Sequence, residues 1–220
     1  MRARDILVVT LCGFASSLLT MCLSYTNPGG GLLLMGLPFG VIISICLLRL
    51  GIYASNWRAI RLIVVSGFAY FFAFLVAYFF QGIVVYSFVR HGEQVEFSPA
   101  AMFVGGLVGG FFVLGEAFSL RMGTTLRALK LALLWSLGGG ILGAAGEFLA
   151  PSLGAVLFSL VYAFHLGALT KFAGEAFTPT QTQSLFSLYV VWQTGTAFLI
   201  GMALWLYRPD VAKDTNAYEK

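Results

Sequence analysis

Apolar residues gather along this chain into seven runs, about 5 to 25, 31 to 52, 60 to 86, 99 to 120, 130 to 149, 154 to 172 and 184 to 207. Each is about 18 residues or longer, enough to cross roughly 30 Å of hydrocarbon as a helix. The connections between them are too short for a soluble domain. The pattern therefore predicts an all-α integral membrane protein, a single bundle of about seven transmembrane helices over 1–207, followed by a polar, disordered tail over 208–220.

Breakers divide the runs. "TNPGGG" at 26–31 makes the first two an antiparallel hairpin. In the second run "GLPFG" places Pro38 between two glycines, which predicts a kink or a break. A carbonyl freed there either coordinates an ion or is satisfied by a neighbouring helix. The third run carries eight Phe or Tyr before Gln81 and is longer than a bilayer requires, so it must tilt or project. Ser98-Pro99 supplies an N-cap and a first-turn proline for the fourth. Tyr25, Tyr53, Trp57, Tyr86, Trp205 and Tyr207 fall at run ends, as an interfacial aromatic belt requires.

Composition agrees with the pattern: 59% of the 220 residues are hydrophobic and only 10% are charged. The formal charge of +4 forms no patch for nucleic acid, because the 13 basic residues are spread among the connections. With a cytoplasmic amino terminus and seven spans, Arg2, Arg4, Arg49, Arg58, Arg61, Arg121, Arg127, Lys130 and Lys171 lie inside. Arg90, Arg208, Lys213 and Lys220 lie outside, so nine basic residues face four and the carboxyl terminus is outside. An even number of spans would place both termini on one side, and a re-entrant 154–172 is the segment expected to produce it. Cys12, Cys22 and Cys46 fall within apolar runs as packing residues. The absence of sequons and lipidation motifs is compatible with a prokaryotic plasma membrane.

Two glycine-rich runs each end in a glutamate: "GGLVGGFFVLGEAF" at 105–118 and "LGGGILGAAGEFLA" at 137–150. A turn centred near Thr125 sets residue 105 opposite 145 and 110 opposite 140, so glycines face glycines. Gly105 and Gly109, Gly106 and Gly110, and Gly139 and Gly143 have the small-xxx-small spacing for close helix approach. Glu116 and Glu147 continue these stripes and should point into the protein, one near each end of the seam, opposite about Leu134 and Phe103. Each is read either as a half-buried site for a proton or cation, or as a carboxylate satisfied by water or a basic partner, with Arg121 available to Glu116. His165 and Gln193 lie deep in their runs. They are either part of a proton path or helix glue joining His165 to Gln193, Ser159 or Thr194.

The chain lacks H-E-x-x-H, G-x-S-x-G, a Walker A sequence, the paired aspartates of metal-dependent lipid transferases and a retinal-type lysine in the last run. His91, Glu93 and Glu96 share one loop at a spacing that reads as solvated rather than metal-binding. No metal site is expected and no cofactor is identified. The leading expectation is a small transporter or channel linked to protons or cations through Glu116, Glu147, His165 and Gln193, alone or as a homo-oligomer. The alternatives are a non-catalytic subunit or assembly factor of a larger membrane complex and, more weakly, an intramembrane lipid-modifying enzyme.

Overall fold

The computed structural model describes residues 2–26, 32–53, 55–88, 98–122, 125–163 and 179–207, and all their regular structure is helical. In chain order the helices are α1 (Ala3–Thr26), α2 (Leu32–Arg49), α3 (Asn56–Phe88), α4 (Pro99–Met122), α5 (Leu126–Phe148), α6 (Ala155–Ala163) and α7 (Pro179–Leu206), with a π-helical turn over Ala150–Gly154. Five stretches, Ala3–Leu23, Asn56–Ile83, Pro99–Ser119, Leu126–Phe148 and Gln183–Leu206, are long and apolar enough to cross a membrane. The projected tail over 208–220 and His165 lie outside the described residues.

Antiparallel packing follows the chain from α2 to α5, each helix against the next. On α2, Gly36 and Gly40 lie directly against the α3 backbone at Ser66 and Ile63. Of the kink or break expected at Pro38, the break does not occur: the helix runs on through it. At the far end of α3, Gln81 Oε1 accepts hydrogen bonds from the Ser98 amide at 2.9 Å and hydroxyl at 2.7 Å. Ser98 Oγ in turn accepts from the Ala101 amide at 3.2 Å, the N-cap that the sequence predicts.

Of the expected sixth run, 154–172, residues 154–163 are described, and they continue from α5. Pro151 has no amide hydrogen to continue the α5 ladder. The chain passes instead through the π-helical turn, with the Leu153 amide on the Leu149 carbonyl at 2.8 Å, and resumes as α6. From Leu126 to Ala163 the helical path is about 57 Å at roughly 1.5 Å per residue. Helix α7 lies antiparallel to this path from Gly138 to Gly154. Gly138 faces Leu199, Leu142 faces Gly195, Gly146 faces Leu188 and Gly154 faces Gln183.

Helix α7 is also antiparallel to α1, since Gly201 meets Ile6, Gly13 meets Ala197, and Ser16 bonds Gln193. The end of α7 therefore lies beside the start of α1. Helix α5 exits and α7 enters at one end of the bundle. Arg2, Arg4, Arg49, Arg58, Arg61, Arg127 and Lys130 all belong to the other end, which we call the arginine-rich end.

The core is aromatic at its centre. Tyr70 stands edge-on to Trp192 at 5.3 Å and tilted against Tyr189 at 5.9 Å, and Phe39 lies 6.2 Å from Trp192. These contacts bring α2, α3 and α7 together. Cys46 is buried in the core, and Cys12 packs against it as a free thiol. Exposed leucines and phenylalanines cover the outside, Leu133, Leu134, Leu137 and Ile141 on α5 among them.

Candidate functional site

The glycine seam brings the α4 and α5 backbones into direct contact, and it differs from its sequence register by about one turn. Gly106 faces Gly139 and Gly143, while Gly110 faces Gly139 and Ser136. A Cβ at Gly139 would stand 2.6 Å from the Gly106 carbonyl oxygen. The paired glycines of α4 divide their work. Gly106 and Gly110 admit α5, whereas Gly105 meets Ala73 and Ala77 of α3 and Gly109 meets the Trp192 ring. Gly105 and Gly109 are thus not part of the α4–α5 seam, a correction that follows from the 100° between consecutive helical positions.

Glu116 lies three turns from Gly105 on the α3-facing side of α4. Its carboxylate meets α3: Arg61 Nη2 donates to Glu116 Oε2 at 2.9 Å. The Glu116 side chain is 7% exposed and that of Arg61 43%. The Ser119 hydroxyl donates to the Glu116 carbonyl at 3.0 Å and lies 3.3 Å from Oε2. Glu116 Oε1 is buried without a hydrogen-bond partner.

Tyr53 was grouped by sequence with the interfacial aromatics, but it is buried. Burial pushes its phenol above the ordinary range, the Glu116 charge adds to this, and Arg58 and Arg61 oppose it. Tyr53 is therefore a neutral hydroxyl beside the ion pair at every physiological pH. Trp57 and Trp205 remain exposed, as belt residues should.

A groove of about 580 Å³ opens at this ion pair, with Arg61, Glu116, Ser119 and Thr125 among its walls. Thr125 caps α5, its side chain accepting from the Ala128 amide at 3.2 Å. Gly115 keeps the groove open. A Cβ added there would meet only Ala132, at 3.6 Å.

Glu147 belongs to a different contact. Its Oε1 accepts from the Ser184 hydroxyl at 2.7 Å, so it turns toward α7 and not toward Phe103 of α4. The Ser187 hydroxyl reinforces that interface by donating to the Gly146 carbonyl at 2.7 Å. In the observed register Glu147 is level with about Pro99, so the two glutamates are about 25 Å apart along the axis.

Gln193 is fully buried and bridges to α1. Its Oε1 accepts from Ser16 at 2.8 Å, and its Nε2 donates to Thr20 at 3.0 Å. The expected bond from His165 to Gln193, Ser159 or Thr194 lies outside the described residues; the exposed Ser159 hydroxyl donates to its own helix at the Ala155 carbonyl, at 2.8 Å. Ser16 and Thr20 each keep a carbonyl of α1, so Gln193→Leu should lower stability by only about 1 kcal/mol. Unfolding in mixed micelles measures this difference. A loss of several kcal/mol would show that Gln193 organises more of the core than these two bonds.

Arg61, Ser119, Ser184 and Tyr53 are the site residues that sequence reasoning missed. The α3–α4 register carries the signal for Arg61, but the long polar connection between those helices hides it. Among the described residues no group of three His, Cys, Asp or Glu side chains could hold a metal ion.

Fold and site together define a class: an all-helical, multi-pass integral membrane protein with a buried carboxylate paired to arginine at one end of its bundle. No match was found for the chain among protein-family models, characterised proteins or solved structures.

Proposed function

We propose that this chain is a small membrane transporter or channel, linked to protons or a small cation, with Glu116 as its exchanging carboxylate. The observation that carries this reading is the asymmetry of Glu116: Oε2 is held by Arg61 while Oε1 is buried without a partner beside an open groove. A carboxylate desolvated in this way exchanges a proton or cation when its surroundings change, and Arg61 supplies the counter-charge while the site is empty. The arginine-rich end is cytoplasmic by the positive-inside rule. Six crossings, with α6 continuing α5, put both termini on that side of a prokaryotic plasma membrane. Glu147, beside Ser184 at the opposite end, is the second group on the path.

Flux measured in proteoliposomes tests the reading. Glu116→Gln should lower proton or cation flux about a hundredfold, on the scale of losing a residue essential to the process, while the protein stays folded. Unchanged flux in a folded variant refutes the role of Glu116.

A second reading, a non-catalytic subunit or assembly factor, is favoured by the exposed α5 stripe of Leu133, Leu134, Leu137 and Ile141. That stripe can accept a partner helix. A stoichiometric partner in the particle extracted by mild detergent selects this reading, and a lone chain or homo-oligomer selects the transporter.

A further inference from the structure

Three helices build the groove at Arg61, and along all three its chemistry changes in the same direction. On α3, Arg61 gives way one turn later to Val65. On α4, Ser119 and Glu116 give way to Phe112 and Phe111. On α5, Thr125 gives way to Leu129 and Ala132. The groove is polar at the arginine-rich end and apolar toward the middle of the bundle.

Helices α3 and α5 both pack on α4, which forms the floor between them. The flanks are exposed and apolar, with Phe68 and Phe72 on one side and Leu126 and Leu133 on the other. The groove therefore opens sideways into hydrocarbon, and its polar end lies at headgroup depth. There, Arg61 keeps a half-exposed guanidinium whose remaining N–H groups are donors beyond the Glu116 bond. The first turn of α5 adds amides whose partners lie outside the helix. A volume of about 580 Å³ lies within the range of small-molecule sites.

We infer that this groove binds one anionic glycerophospholipid, with its phosphate against Arg61 and the start of α5 and one acyl chain along Phe111, Phe112 and Ala132. The arrangement matches charge to charge and apolar surface to apolar surface in the order in which a phospholipid presents them. A soluble phosphate would leave the apolar floor uncovered, and a hydrocarbon chain alone would leave Arg61 unused. The inference rests on the groove and not on ion movement, so it can fail or succeed independently of the transport reading.

The test is native mass spectrometry of the full chain, released from detergent containing phosphatidylglycerol or phosphatidylcholine at equal concentration. One phosphatidylglycerol per chain should be retained in preference to phosphatidylcholine. Arg61→Gln should lower retention about tenfold, the equivalent of one charge-assisted hydrogen bond. Gly115→Phe, whose Cβ would meet only the Ala132 side chain at 3.6 Å and whose ring would occupy the groove, should lower it at least as far, while Leu134→Phe on the exposed face of α5 should not change it. Equal retention of the two lipids, displacement by glycerol 3-phosphate alone, or retention unchanged in folded Gly115→Phe would each overturn the inference. If Arg61→Gln fails to fold, the Gly115→Phe and Leu134→Phe pair still decides the matter.

Discussion

Gly106→Leu should abolish the folded protein, or destabilise it by about 3 kcal/mol or more, the upper range for overpacking. The reason lies in what the new side chain would meet. A Cβ at Gly106 runs into the Gly139 carbonyl, and the Gly143 Cα stands 3.2 Å away. Both obstacles are backbone, so no change of rotamer relieves them and α5 must withdraw. Withdrawal also strips the seam of the dispersion contacts that hold helices together in lipid, where burial of apolar surface offers little further gain. Gly82→Ala is the control. No atom lies within 4 Å of a Cβ at Gly82, so this substitution should be neutral or stabilising by about 0.5–1 kcal/mol through helix propensity. Steric-trapping or denaturing-detergent titrations of the two variants measure the contrast. Equal tolerance of Gly106→Leu and Gly82→Ala would show that the seam is not close-packed.

The second large effect concerns the ion pair. Arg61→Met should cost about 2 kcal/mol, because it leaves a buried carboxylate without its charged donor. The cost stays below that of a fully buried pair because Arg61 is 43% exposed and water screens part of its charge. The double variant Arg61→Met with Glu116→Leu should recover most of the loss, since neither charge then requires a partner. Recovery in the double-mutant cycle identifies the penalty as the orphaned carboxylate. Failure to recover would mean that Ser119, Tyr53 or the packing of α3 depends on Glu116 in another way. Glu116→Gln separates this structural role from transport, because a neutral amide can still accept from Arg61 while it has lost the exchangeable charge.

Much of this molecule is legible in order of length scale. The apolar runs locate α1 to α5 and α7 to within a few residues at most ends, because a helix that shields its own backbone in hydrocarbon must be long and continuously apolar. Ser98 is legible as a cap because its chemistry is local. The glycine seam follows from spacing plus a short turn, and its error of one turn is what an estimated turn centre permits. Length and hydropathy do not distinguish a helix that returns from one that continues, so they leave the course of the described part of the sixth run, 154–163, open. Pro151 marks the place but not the outcome, and the π-helical turn carries α5 onward into α6.

Sequence by itself determined a helical membrane protein, the helix boundaries, the Gly106, Gly110, Gly139 and Gly143 seam, and the inward turn of Glu116. These rest on periodicity and on the cost of exposing polar groups to lipid, both properties of one helix or of neighbours joined by a short turn. Only the tertiary structure decided that Glu116 meets Arg61, that Glu147 meets Ser184, that Gln193 joins α7 to α1, and that α7 ends beside the start of α1. Those contacts join helices separated by long connections or far apart in the chain, where nothing local fixes the register and the packing of the whole bundle must choose it.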